Sequence, residues 1–292
     1  MEYLLHIATL IALYCILASS LNLVMGYTGI LSLSHAAFYG IGAYTAALLA
    51  LHWNVALPIS IVVAMLVAGV IGCGVSIPLV RLKGDGVVVG TFAFQILVTS
   101  VLTNSQYTGG ASGLPGIPPA QVFGWQLDGV AGLCATAWCL GLASVLFARH
   151  LVRTPLGRVL ESIREDEVLV AVTGRNVARV KATVFTIGGM IAACAGAFYA
   201  HYIGFVDPTS FSLTDSIFIA SIVIIGGAGS TWGPIVGAAI LVALPELLRM
   251  LGLPASAAAH VREVVYGGAL VGIIAWKPSG LLGTYSFGEE SR

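Results

Sequence analysis

The stretch that decides the fold is residues 3–80, which read YLLHIATLIALYCILASSLNLVMGYTGILSLSHAAFYGIGAYTAALLALHWNVALPISIVVAMLVAGVIGCGVSIPLV. None of these 78 residues is Asp, Glu, Lys or Arg. A helix needs roughly 20 apolar residues to cross the hydrocarbon core of a bilayer, so this run alone holds about three spans. Period-two alternation is missing, and in lipid a helix satisfies its own backbone polar groups. The sequence therefore predicts an all-α integral membrane protein.

The rest of the chain continues the same pattern in a single transmembrane domain that covers residues 1–292. Charged residues are also absent from 86–127, 129–148, 182–206 and 216–245. We predict about nine transmembrane helices, within a range of eight to ten, because the Gly-rich stretch 26–42 could be re-entrant. The predicted spans are 4–24, 36–52, 58–80, 86–104, 129–149, 181–203, 215–229, 234–251 and 262–276.

Composition excludes the main soluble classes. Of 292 residues, 58% are hydrophobic and 9% are charged, with a mean hydropathy of +0.97. A soluble domain carries about 25% charged residues, so a soluble globular enzyme and a disordered chain are both excluded. Thirteen basic and thirteen acidic residues cancel, which argues against a nucleic-acid partner because no net field attracts polyanions.

The distribution of basic residues sets the orientation. Seven lie between Arg149 and Lys181, and basic residues concentrate on the cytoplasmic side of membrane proteins. We predict that segment 152–181 is cytoplasmic, with the N-terminus outside and the C-terminus inside.

Two Gly-rich segments depart from plain membrane helix and are candidates for a solute path. Gly allows helix breaks and close backbone approach. Broken helices within a membrane are tolerated only where they are buried in protein or line a water-filled cavity. The alternatives are tight helix packing for the first segment and a plain turn for the second. The candidates are Gly26, Thr28, Gly29, Ser32, Ser34, His35, Phe38 and Tyr44 in the first segment, and Gly226, Gly227 and Gly229 in the second.

The loop 107–119 is rich in Gly and Pro, which predicts turns at the outer surface. Segment 152–181 instead has the features of a docking element. Thr154 is a predicted N-cap, Pro155 the first helical residue and Gly174 a helix stop. A solvated loop is the alternative interpretation. The residues predicted to couple this segment to a partner are Arg158, Glu161, Arg164, Glu165, Asp166, Glu167 and Gly174.

Several kinds of chemistry are missing from the sequence. No lysine follows a glycine, so the ATP-binding pattern GxxxxGK[ST] does not occur, and HExxH, CxxC and GxSxG are absent as well. The five cysteines lack metal-ligand spacing and are expected to be small buried side chains. We predict no catalytic residue, metal or cofactor, so any energy for pumping must come from a partner.

The sequence resembles the permeases of branched-chain amino acid ABC importers over nearly its whole length. The motifs that carry the resemblance are 21–29 with 40–44, 81–85 with 91–94, the 108–114 loop, 154–174, 207–211, 226–234 and 277–281. The Thr108-Gly109-Gly110 loop resembles the LivM-type member of the permease pair rather than the LivH-type.

The resemblance implies a type II ABC-importer-like permease, multi-pass in the bacterial inner membrane. It further implies a second permease subunit, cytoplasmic ATP-binding subunits that hydrolyse ATP, an extracytoplasmic substrate-binding protein and a branched-chain amino acid as solute. Broken-helix N–H groups near Gly26–Gly29 are expected to meet the solute carboxylate. Urea, short amides or other amino acids remain alternative solutes. An ATP-independent channel or secondary carrier is the rival class, and an intramembrane enzyme is a third.

Overall fold

The computed structural model of the chain describes residues 2–82, 84–122, 125–126, 129–250, 267–268, 271–272, 277 and 279–283. Its helices are α1 (Glu2–Thr28), α2 (His35–Trp53), α3 (Leu57–Leu79), α4 (Asp85–Asn104), α5 (Val130–Arg153), α6 (Pro155–Glu165), α7 (Glu167–Val172), α8 (Val177–Ile203), α9 (Leu213–Gly226) and α10 (Gly233–Met250). Its short strands are β1 (Leu114–Pro115), β2 (Gln121–Val122), β3 (Trp125–Gln126) and β4 (Phe205–Val206).

Eight of the nine predicted spans coincide with helices, namely α1 to α5 and α8 to α10. The ninth, 262–276, lies almost entirely outside the described residues. In the described part of the chain, five helices (α1, α3, α4, α5 and α8) are long and apolar enough to cross a bilayer by themselves. The seventh predicted span ran too far. α9 ends at Gly226 because Gly227 takes φ +114°, a backbone conformation outside the helical range.

Helices α1 and α8 form the centre of the molecule, and α3, α4 and α5 lie around them. The most apolar windows of α1 and α8 are 72% and 67% buried, against 33%, 28% and 22% for the three outer helices. α2 packs closely on α8 through glycines. A Cβ on Gly42 would collide with the Ala193 backbone, and a Cβ on Gly196 would collide with the Tyr39 carbonyl. Small residues let membrane helices approach this closely.

The outer helices present apolar side chains away from the core. On α3, Ile59, Val62 and Leu66 recur at helical spacing and are each more than half exposed. This apolar outer face suits a lipid environment, where apolar side chains need no cover.

The expectation of buried cysteines is wrong for Cys73 and Cys139, which lie exposed on α3 and α5.

Two ends of the helix bundle can be told apart. At one end the loops after α4 and α8 pair, with Leu114 opposite Val206 in an antiparallel β1–β4 ladder. The 107–119 loop there forms turns, as predicted, around a 3-10 turn at Gly110–Ser112. We call the other end, which carries α6 and α7, the basic end. Arg81 lies in the turn that follows α3. The residues around Arg81 in this turn line a small pocket together with Lys181, so both cations belong to the basic end.

Candidate functional site

The first predicted path segment is the C-terminal end of a helix. α1 runs unbroken through Gly26, and the break comes at Gly29, whose φ is +73°. The Gly29 N–H donates to Met25 O at 3.1 Å, and the Thr28 hydroxyl donates to Val24 O. A helix C-terminus presents carbonyl groups. This end therefore suits an amine or another donor, and the expected carboxylate contact with N–H groups here does not fit the geometry.

The loop into α2 carries two serines that are closed off from solvent, although Gly29 and Leu31 of the same loop are exposed. Ser32 Oγ and Ser34 Oγ lie 3.0 Å apart, and both side chains are fully buried. His35 begins α2 and is also fully buried, beside Gly188 of α8. Within the described residues neither ring nitrogen of His35 meets the geometry of a hydrogen bond. Ser32, Ser34 and His35 thus place buried polar side chains at the α1–α2 break.

The two aromatic path candidates are part of the packed core. The Phe38 ring lies 5.3 Å from the ring of Phe94 and 5.4 Å from that of Phe185, measured between centroids. Tyr44 lies 6.0 Å from Phe211 in an edge-on arrangement. Aromatic pairs at these separations stabilise packing. Both residues therefore fix the position of α2 relative to α4, α8 and the segment before α9.

A buried amide that sequence reasoning missed holds the N-terminus of α2. Gln95 Oε1 accepts from the Ala37 N–H at 2.7 Å and from the Ser216 hydroxyl at 3.1 Å. Gln95 Nε2 donates to Phe211 O at 2.8 Å, and the Ala36 N–H donates to Ser216 Oγ at 2.9 Å. Gln95 and Ser216 are fully buried. The signal in the sequence was an amide in the middle of a predicted span, where polar side chains join helices.

The second Gly-rich segment closes the basic end. Leu282 N–H donates to Gly226 O at 3.0 Å, and a Cβ on Gly227 would collide with the backbone of Gly283. Gly226 and Gly227 therefore pack against residues 279–283. Gly229 faces the other way, toward α1.

The structure brings the two predicted path segments together through a second residue that sequence reasoning missed. Asn22 Oδ1 accepts from the Gly229 N–H at 2.9 Å, and Asn22 Nδ2 donates to Ser230 O at 2.9 Å. A Cβ on Gly26 would lie 2.5 Å from Gly229 N, so only glycine fits. Gly26 and Gly229, one from each predicted path segment, are therefore neighbours in space.

The predicted coupling segment consists of two helices rather than one. α6 begins at Pro155 as predicted, but the Thr154 hydroxyl donates back to Leu151 O at 2.6 Å instead of capping α6. The break falls at Asp166, whose carboxylate accepts from Leu169 N at 2.9 Å and so caps α7. Gly174, at φ +82°, ends the corner, in agreement with the predicted stop.

Most of the predicted coupling residues are exposed at the basic end, and one is not. The exposed ones are Arg158, Glu161, Glu165, Asp166, Glu167 and Gly174. Glu167 pairs with Lys181 of α8 at 2.5 Å, which ties α7 to the bundle. Arg164 is partly buried, and its Nη1 donates to Gly26 O at 2.7 Å. Arg164 therefore connects the coupling segment to the path segment.

A groove lies between α6 and α7. It has a volume of about 470 Å³, and its walls carry both apolar and cationic side chains. The lining residues are Pro155, Arg158, Val159, Ser162, Leu169, Val170, Thr173 and Arg175. Val168, Leu169 and Val172 of α7 are 72%, 64% and 80% exposed, which leaves an uncovered apolar surface beside the groove. Exposed apolar patches on proteins often belong to interaction sites.

Asp207 is a carboxylate at the opposite end. It accepts hydrogen bonds from the hydroxyls of Thr209 and Ser210, the latter at 2.5 Å. Partial burial raises the pKa of Asp207, but these hydrogen bonds outweigh it and hold the pKa below its ordinary value.

Residues 3–274 match the family described as the permease component of the branched-chain amino acid transport system. The chain belongs to this family.

Curated relatives agree with this assignment. The high-affinity branched-chain amino acid transport permease LivM of Escherichia coli K12 is 34% identical over 94% of this chain and 69% of its own length. A probable LivM of Methanocaldococcus jannaschii is 27% identical over 77% of this chain and 67% of its own. The ribose import permease RbsC of Escherichia coli K12 is 27% identical over 61% of this chain and 57% of its own length. No solved structure matches the chain.

The permease is thus an all-α, multi-pass membrane protein of the type II ABC-importer class, as its long apolar helices indicate. Its family is described as a transport-system permease component. Within the described residues, no group of three His, Cys, Asp or Glu side chains converges to hold a metal ion.

Proposed function

We propose that this permease is one of two transmembrane subunits of an ATP-driven importer in the bacterial plasma membrane. Its solute is a branched-chain amino acid, delivered by a substrate-binding protein at the end with the β1–β4 ladder. Cytoplasmic ATP-binding subunits hydrolyse ATP and dock at the basic end. The permease itself supplies the path and the surface on which the ATPase acts.

The observation that carries this proposal is the uncovered surface of α6 and α7. The groove between them and the exposed Val168, Leu169 and Val172 form an apolar patch with cations at its edge. A channel or secondary carrier has no use for such a surface, because it needs no motor subunit. Positive charge concentrates on the cytoplasmic side, where an ATPase has access to ATP.

Co-purification tests the docking surface. The permease is co-expressed with its partner permease and a tagged ATP-binding subunit, and the complex is captured in mild detergent. We expect Leu169→Glu with Val172→Glu to lose the ATPase, since two carboxylates are then buried against an apolar partner. Tyr107→Glu is the matched control, because Tyr107 is 87% exposed at the opposite end. Equal recovery of ATPase with both variants would remove the docking surface from the proposal.

Uptake measurements decide the solute and the energy source. Radiolabelled leucine uptake into proteoliposomes that hold the full importer is expected to need ATP and to be blocked by vanadate. Competition by valine and isoleucine, but not by urea or acetamide, supports the branched-chain assignment. Uptake without ATP would favour the carrier or channel instead.

We propose that the path runs along the α1–α2 break, beside Ser32, Ser34 and His35. These buried side chains supply hydrogen-bonding groups, and the carbonyl end of α1 near Thr28 and Gly29 favours an amine. Ser34→Ala and His35→Leu are expected to lower uptake while leaving ATPase co-purification unchanged.

A further inference from the structure

One side chain crosses from the cytoplasmic segment to the membrane-embedded core. Arg164 leaves α6, and its guanidinium donates from Nη1 to Gly26 O at 2.7 Å. Its aliphatic part lies against Gly29, where a Cβ would come within 3.2 Å of Arg164 Cγ. A guanidinium at the C-terminal end of α1 also complements the negative pole of that helix. α6 is thereby fastened to the last turn of α1.

One helical turn earlier, α1 is fastened to a different element. Asn22 is 3% exposed, and its amide bonds both the N–H of Gly229 and the carbonyl of Ser230. An amide side chain can bond both groups at once, because its oxygen accepts from the Gly229 N–H while its nitrogen donates to the Ser230 carbonyl; a carboxylate has no donor and an alkyl group has neither a donor nor an acceptor. Asn22 therefore fixes the position of the loop 227–232, which joins α9 and α10, against α1.

The two fastenings lie on one face of a continuous helix. Asn22 and Gly26 are separated by four residues, so they are adjacent along α1. Gly26 lets the loop approach, because its missing side chain leaves the space that Gly229 N occupies. The contacts of Arg164 and Asn22 therefore form a continuous connection from α6, along the end of α1, to the loop.

We propose that Arg164 and Asn22 are positioning residues that carry the movement of the ATPase-driven α6 to the loop 227–232. The inference rests on the proposed function, because it assumes that an ATPase moves α6. It adds a route through named side chains from the docking surface to the junction of the two Gly-rich segments. A static brace at the same place would affect stability alone.

The test uses the complete importer in proteoliposomes, with both permeases, the ATPase and the binding protein. Leucine uptake and ATP hydrolysis are measured together, and their ratio is the readout. We expect Arg164→Gln and Asn22→Ala each to lower uptake per ATP about tenfold, the size expected for losing a buried or charge-assisted hydrogen bond. The double variant is expected to be no worse than either single one, because the two residues act in series. Arg164→Lys, which keeps a donor for Gly26 O, is expected to restore part of the ratio.

Two matched controls remove a similar group elsewhere. Arg179→Gln deletes an exposed guanidinium at the start of α8, and Asn104→Ala deletes an exposed amide that bonds only within α4 in the hydrogen bonds described. Both are expected to keep the wild-type ratio.

Three outcomes would overturn the inference. In the first, uptake and hydrolysis fall in parallel so that the ratio is unchanged. In the second, the losses of the single variants multiply in the double variant. In the third, the controls lose coupling as severely. A wild-type importer that shows no ATP-dependent uptake would instead refute the proposed function itself, so the two failures are distinguishable.

Discussion

Replacing Gln95 by Leu isolates the polar contribution of the buried amide. Leu has a similar volume, so the change in stability reports lost hydrogen bonds more than a cavity. Three bonds to other elements disappear, those to Ala37 N, Phe211 O and Ser216 Oγ. Hydrogen bonds between membrane helices average about 0.6 kcal/mol each and reach about 1.7, so we expect a loss of about 2 kcal/mol and at most about 5.

Equilibrium unfolding of the purified permease in mixed micelles, followed by circular dichroism, measures this change. Asn104→Leu is the matched control on the same helix, because the Asn104 side chain is exposed and bonds Ser100 one turn away. We expect Gln95→Leu to unfold at clearly lower denaturant and Asn104→Leu to match the wild type. If the two variants are equally stable, Gln95 does not hold α2, α4 and α9 together as the geometry indicates.

Three further predictions follow from packing, protonation and topology. Gly42→Val is expected to destabilise the α2–α8 contact by about 1–3 kcal/mol or more by overpacking, while Gly74→Val, with open space around its Cβ, is tolerated; detergent melting curves check this. The pKa of Asp207 is lowered in the folded state, so the ionised carboxylate stabilises the fold above the ordinary pKa of 3.8, and this stabilisation is lost as the pH falls below that value. We expect Asp207→Asn to abolish this acid dependence, measured as the thermal stability at each pH. In a cysteine-free background, we expect Tyr107→Cys to react with a membrane-impermeant maleimide added to intact cells. Val172→Cys is expected to react only after the cells are permeabilised. The reverse labelling pattern would show that the orientation in the membrane is opposite to the predicted one.

The membrane class and most helix positions could be read from the sequence. A bilayer imposes a length of apolar chain and removes water, so a run of 78 uncharged residues permits few structures. Basic residues mark one end because Lys and Arg concentrate in the cytoplasmic loops of membrane proteins. The stop at Gly174 was also predictable, because a positive φ is a local requirement.

The division of the coupling segment was decided locally but by a weaker signal. Asp166 lies within a run of charged residues and could serve as surface or as cap. It became the cap of α7 because the corner packs Ile163 and Val170 into one small apolar cluster. The direction of the α1 break was likewise undetermined, since glycines mark a break without saying which helix end it exposes.

The sequence by itself determined the lipid-embedded helical class, the basic end and the Gly-rich breaks, because solvent transfer and backbone sterics act on neighbouring residues. Only the tertiary structure decided that Asn22 meets Gly229, that Gln95 caps α2 and that Arg164 reaches Gly26. These contacts join residues 207, 58 and 138 positions apart, and their partners are backbone groups that carry no mark in the sequence.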